Sequence, residues 1–231
     1  MKRMLRKKFY VALVFAVILV PFLMRAVGSF GEDVVDLERV TVFLRDVVNF
    51  DLTKYTMALS GSLSVRHREE MGGLAEVDGL YVLTSETSTI GVQFKFVNNT
   101  LARCLVDVRA GLPQFSQPVP VDADDAAREF LQRYETFTGD SSLASMISML
   151  ATVDVSKNAT VASGNLTLAI TVTSSSALFG WKNTYNGVGF SGLGVKFQNG
   201  IFRAFGDDRS YVQVGSTDVN VSRDNRNQHC A

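Results

Sequence analysis

Two short turns, about a hundred residues apart, constrain this chain more than any other feature. Thr89 to Arg109 reads Thr-Ile-Gly-Val-Gln-Phe-Lys-Phe-Val-Asn-Asn-Thr-Leu-Ala-Arg-Cys-Leu-Val-Asp-Val-Arg. Apolar and polar residues alternate on both sides of Asn98-Asn99. Asparagine tolerates the positive φ of a tight turn, so the stretch predicts a β-hairpin. Gly194 to Arg203 repeats the pattern around Asn199-Gly200, the strongest hairpin signal in the chain.

The distances from these turns suggest a duplication. Asp122, at the start of a helical pattern, follows Asn98 by 24 residues, and Ser222 follows Asn199 by 23. Pro120-Val-Asp-Ala-Asp-Asp125 and Asp218-Val-Asn-Val-Ser-Arg-Asp224 occupy matching places, each a strand exit followed by a side-chain cap. A unit of helix, antiparallel strands and extended exit thus repeats at about a hundred residues.

Periodicity fills in the rest. Val35, Leu37, Val40, Leu44, Val47 and Val48 form an apolar stripe, predicting a helix over 32–49. Strands are expected at 56–66 and 79–85. The charged link 67–78, with Gly72-Gly73, reads as an exposed loop or hairpin end. Asp122 opens a helix with Ala126, Ala127, Phe130, Leu131, Tyr134 and Phe137 as its buried face, and Gly139 ends it. Ser141 opens a shorter helix to about Thr152. Strands are expected at 159–174, 177–185, 191–198, 201–206 and 210–214. The fold class expected is α+β: an N-terminal signal or anchor helix, then two related modules of helix plus antiparallel β-meander. The modules span 31–120 and 121–221, and 222–231 is a tail or the start of a truncated third unit.

Residues 1–30 have the layout of a secretory signal. Lys2, Arg3, Arg6, Lys7 and Lys8 precede an uncharged run from Phe9 to Met24, and Ala26-Val-Gly28 offers small residues for cleavage before Ser29. An uncleaved anchor through residues 9–24 is the alternative; either places the body outside the cytoplasmic membrane. The formal net charge of zero hides a contrast. Six of the 23 basic residues lie in 1–30 with no acid, leaving 17 basic against 23 acidic residues, a net of −6. Such a body repels phosphate backbones, so nucleic acid is not an expected partner. Asn98, Asn158, Asn165 and Asn220 each begin an Asn-x-Ser/Thr glycosylation sequon. Of the two cysteines, Cys104 reads as a small buried hydrophobe on a strand and Cys230 lies in the tail.

Chemistry is harder to find. His67, between Arg66 and Arg68, reads as part of a solvated loop rather than a metal site with Glu70. No nucleophile motif accompanies it. Gly187-Val-Gly-Phe-Ser-Gly192 matches a dinucleotide fingerprint, but a strand follows where that mechanism needs a helix N-terminus, so it reads as a glycine-rich strand connection. Asp122, Asp124 and Asp125 lack the spacing of a calcium loop, and Asp207-Asp208 reads as a turn. No catalytic residue, metal or cofactor is assigned. Phe179, Trp181, Tyr185, Phe190, Phe197, Phe202, Phe205 and Tyr211 crowd the second strand set. They serve either a ligand face or packing against the helix at 122–137. Trp181 and Tyr185, beside Lys182 and Asn183, are expected to be exposed and are the candidate ligand contacts.

The leader, Leu37-Glu-Arg-Val40, the Phe96-Val-Asn-Asn99 hairpin, Phe130-Leu-Gln-Arg-Tyr134 and Val219-Asn-Val-Ser222 give the chain an architectural likeness. It resembles the cystatin-like and PEPSY-like superfamily of extracytoplasmic α+β modules, and in particular exported archaeal proteins with tandem units of this kind. The resemblance implies an exported module and no carried-over functional residue, because the Gln-x-Val-x-Gly protease-binding loop of cystatins is absent. The function expected is therefore a non-enzymatic binding or interaction module for a cell-envelope protein or glycan. The alternatives are an extracellular hydrolase with scattered carboxylates and a passive surface spacer.

Overall fold

The computed structural model describes residues 37–69, 73–185 and 188–209. The leader, the strand expected at 210–214, Asn220 and the tail lie outside them.

Helix α1, Leu37–Val42, passes into a π-turn, Phe43–Val47, and together they bury Val40, Phe43, Leu44 and Val47. Strands β1 (Thr56–Leu59), β2 (Ser64–Arg68) and β3 (Leu74–Thr84) follow. This corrects the expected single strand at 56–66, and of the link at 67–78, expected as an exposed loop or hairpin end, residues 67–68 and 74–78 are strand in the antiparallel β2–β3 pair. The charged residues are strand: His67 pairs with Ala75 and Arg68 with Leu74. They are tolerated there because β2 lies off the main path of the sheet, and because Glu76, 5% exposed, meets both Arg68 and Lys95 at 3.2 and 2.8 Å. The Lys95 hydrogen bond is the largest influence holding the Glu76 carboxyl below its ordinary range.

Strands β4 (Thr89–Val97) and β5 (Thr100–Ala110) form the expected hairpin. Asn98 and Asn99 have φ of 46° and 64°, the left-handed pair of a type I′ turn. Asn98 also ties the turn to β3: its N–H donates to the Ala75 carbonyl at 2.8 Å, and its side-chain oxygen accepts the Ala75 N–H at 2.9 Å.

The second half opens with α2, Ala123–Thr138. Asp122 stands at its N-cap without a side-chain capping bond, but Gly139 closes the other end at φ 71°. Helix α3, Leu143–Leu150, is shorter than expected. Strands β6 (Ala159–Ser163), β7 (Leu166–Val172), β8 (Ser176–Tyr185), β9 (Val188–Gln198) and β10 (Ile201–Asp207) complete the described chain. The strand expected at 159–174 is two, folded at Gly164, whose φ is 59°.

All these strands join one sheet in the order β1-β3-β4-β5-β10-β9-β8-β7-β6, with β2 also on β3 and every pairing antiparallel. The α+β expectation of separate helix-plus-meander modules is therefore overturned: the described residues are mostly antiparallel β, and both halves share one sheet of ten described strands. The cause lies at β5 and β10, which would each leave an unpaired edge ending its own meander. Pairing them, Cys104 opposite Phe205 and Arg103 opposite Gly206, satisfies both. The expected N-terminal helix falls outside the described residues. Among those residues no helix is long and apolar enough to cross a membrane.

The helices share their core as the strands share their sheet. Phe43 of the first half makes ring contacts with Phe130, Tyr134 and Phe137 of α2 and with Phe202 and Phe205 of β10. Since the π-turn after α1 and helix α2 both reach Phe205, through Phe43 and Tyr134, they lie on the same face of the sheet. The described residues from Glu38 to Arg209 cluster as one compact unit.

Candidate functional site

Side-chain alternation divides the sheet into two unlike faces. On β8, Phe179 and Trp181 are buried while Leu178 and Lys182 are exposed. Register carries this phase across the sheet. Phe179 opposes Val195, and Val195 opposes Phe205, all buried on the helix side. The residues between them face the other way, and there the side chains disappear. Ala169 of β7 pairs with Gly180 of β8, Gly180 with Gly194 of β9, and Gly194 with Gly206 of β10. The same row continues into Arg103 of β5 and Lys95 of β4.

Three of these glycines have no steric reason to be glycine. A Cβ on Gly180, Gly194 or Gly206 would come no closer to anything than 3.9, 3.7 and 3.9 Å, in each case a backbone oxygen at ordinary contact distance. None has a positive φ. Neighbouring Gly192 differs, because its Cβ would press to 2.4 Å from the Trp181 carbonyl oxygen. Glycine inside a strand costs roughly 0.5–1 kcal/mol relative to alanine through backbone entropy. A strand interior that carries it without a packing need is where a ligand or another backbone comes close.

The row forms the floor of a trough of about 830 Å³ on the face away from the helices. Lys182 and Phe190 rise on one side and Lys95 and Arg103 at one end. Lys95 is engaged with Glu76. Arg103 and Lys182 are exposed and have no hydrogen-bond or ion-pair partner among the described residues. The nearby Asp208 is occupied: its carboxylate accepts the Gly192 N–H, and its own N–H donates to the Gly192 carbonyl at 3.1 Å. The trough therefore offers a flat, side-chain-free floor with unpaired positive charge at its rim.

A second cavity, of about 610 Å³, opens between the α2–α3 end and β6–β8. Its charged groups are already matched to one another. Arg209 holds Asp207 with two bonds, Nε to Oδ1 at 2.9 Å and Nη2 to Oδ2 at 2.7 Å, and reaches Asp140 at 3.0 Å and the Ser142 hydroxyl at 3.1 Å. The buried Tyr134 hydroxyl donates to Asp207 Oδ2 at 2.9 Å. Burial first, then the Asp207 charge, raises the Tyr134 phenol well above its ordinary range. Burial alone would raise the Asp140 carboxyl, but the Ser142 hydroxyl and N–H, with Arg209, hold it low. Asp140 and Asp207 share the Arg209 guanidinium, so this cluster clamps β10 to the α2–α3 turn.

The residues singled out in the sequence fall elsewhere or change role. Trp181 is 1% exposed and stacks on Phe179, which corrects its expected exposure; Phe197, Phe202 and Phe205 pack under Phe130. Tyr185 is 46% exposed at the end of β8 and does not line the trough. Asn98, Asn158 and Asn165 are exposed in turns or at strand ends. Cys104 is buried, and burial pushes its thiol up to about 12. His67 is exposed on β2. Among the described residues no three His, Cys, Asp or Glu side chains gather as a metal site. The sequence reading missed the glycine row. Its only local trace is the spacing of two between Gly192 and Gly194, which puts both on one face of a strand.

No family model, curated protein or solved structure matches the chain.

Proposed function

We propose that this protein is an exported binding module that holds a flat anionic ligand, an acidic glycan unit of the cell envelope, in the trough on the open face of its sheet. The observation that carries the reading is the in-register row Gly180–Gly194–Gly206, glycine without steric need, running into Arg103. A bare floor lets a sugar ring or extended chain lie against the backbone with no side chain between them. Arg103 suits a carboxylate because its guanidinium can grip both oxygens, and Lys182 adds a movable second charge. The volume suits a ligand of a few rings. The acidic body limits its length, since a long polyanion would be repelled beyond the trough. Export rests on the basic and apolar leader.

The test is titration calorimetry of the full chain with trigalacturonate at low salt, with neutral maltotriose as control. Hydrogen bonds to charged groups contribute about 1.5–3 kcal/mol. The double variant Arg103→Ala, Lys182→Ala should therefore bind trigalacturonate at least about tenfold more weakly. Added salt should weaken the wild type more than the variant. Equal affinity for wild type and variant would move the site elsewhere. Absence of binding to either probe would favour a passive spacer.

A further inference from the structure

Among the described residues the sheet ends on two unlike edges. At one end β1 and β2 divide the edge into two short pieces, and β2 presents Arg66, His67 and Arg68. At the other end stands β6, Ala159-Thr-Val-Ala-Ser163, without a charge, a proline or a register shift. Such an edge is a template for pairing with another chain, and proteins usually blunt it with charge, proline or a cover. Nothing of that kind lies within β6 itself. What brackets it is a pair of sequons. Asn158-Ala-Thr160 begins just before the strand, and Asn165-Leu-Thr167 begins in the turn that closes it onto β7.

We propose that Asn158 and Asn165 carry N-linked glycans that cover the edge of β6 with which no other described strand pairs, an inference that rests on the export proposed above. Both residues are exposed. The Asn158 side-chain oxygen accepts the Val172 N–H at 2.7 Å, which leaves its amide nitrogen for attachment. The Asn165 side chain has no hydrogen-bond partner among the described residues. The five-residue strand spans about 17 Å at about 3.4 Å per residue, so a glycan at each end flanks the whole edge. Asn98 has no such place, because its turn joins two interior strands. In the transfer, the Asn amide nitrogen bonds to the anomeric carbon of a lipid-linked oligosaccharide diphosphate. The bond from that carbon to the diphosphate oxygen breaks, and the amide proton passes to a base of the transferase.

The experiment expresses the full chain in a glycosylating secretory host, maps glycopeptides by mass spectrometry, and measures assembly state by light scattering before and after enzymatic deglycosylation. The expected result is a secreted monomer occupied at Asn158 and Asn165, which associates once the glycans are removed. Adding Ala162→Lys, a charge on the exposed edge, should keep the deglycosylated chain monomeric. A secreted chain bare at both sites, or one that stays monomeric without glycans, overturns the shielding alone. A chain retained in the cell overturns the export reading, and the shielding with it.

Discussion

Replacing Phe43 with alanine is expected to destabilise this protein by about 3–5 kcal/mol, the usual range for deleting a buried aromatic ring. Phe43 is 1% exposed, and five other rings surround it with centroids 5.5 to 6.4 Å away. Those rings come from α2 and β10, in the opposite half of the chain. The cavity would open where the two halves meet, and α2 and β10 are both tied into the pairing that joins them. Urea denaturation followed by far-UV circular dichroism measures the loss as a lower midpoint. Phe43→Leu, which keeps most of the apolar volume, should lose much less. A loss below about 1 kcal/mol for Phe43→Ala would mean the site collapses freely, and the shared core would then be wrong.

Asp207→Ala is the second substitution with a large expected effect. It leaves the Arg209 guanidinium, whose side chain is 13% exposed, without its two-bond partner, and the Tyr134 hydroxyl without an acceptor. Breaking a buried pair by removing one member costs about 3–5 kcal/mol. Arg209 keeps Asp140 and Ser142, so the lower end, about 3 kcal/mol, is expected. At this chain length that corresponds to a fall in Tm of roughly 6–12 °C. Tyr134→Phe removes a single hydrogen bond and leaves Asp207 bound to Arg209, so it should cost only about 1 kcal/mol. Equal losses for the two variants would mean the ion pair contributes nothing to the clamp. Thermal melts of both proteins in one buffer decide it.

What could be read from the chain was local. Asn98-Asn99 and Asn199-Gly200 specify their turns by their own backbone preferences, and Gly139 ends its helix the same way. The β5–β10 pairing joins residues about a hundred positions apart and has no local signature, so the two halves looked like separate modules. Strand β2 was hidden by its charges, since Arg68 is neutralised only when the fold brings Glu76 beside it. Trp181 was misplaced because its neighbours Lys182 and Asn183 are polar. Strict alternation from Phe179 would have put it inside. Beyond the Gly192–Gly194 spacing the glycine row leaves no local signal, because Gly180, Gly194 and Gly206 are 14 and 12 residues apart and align only through strand register.

That row has a rival explanation in sheet shape, since glycines and bulges also let a sheet bend, and register shifts occur in β9's pairings with both β8 and β10. The substitution that separates the two readings is Gly194→Val. Its Cβ meets only the Phe179 carbonyl oxygen, at 3.7 Å, and valine favours a strand. The decisive measurement pairs a thermal melt of Gly194→Val with its trigalacturonate titration. A binding floor predicts an unchanged or higher Tm with binding lost. A lower Tm with wild-type affinity would contradict the trough as a binding site and leave the glycines to the bend of the sheet.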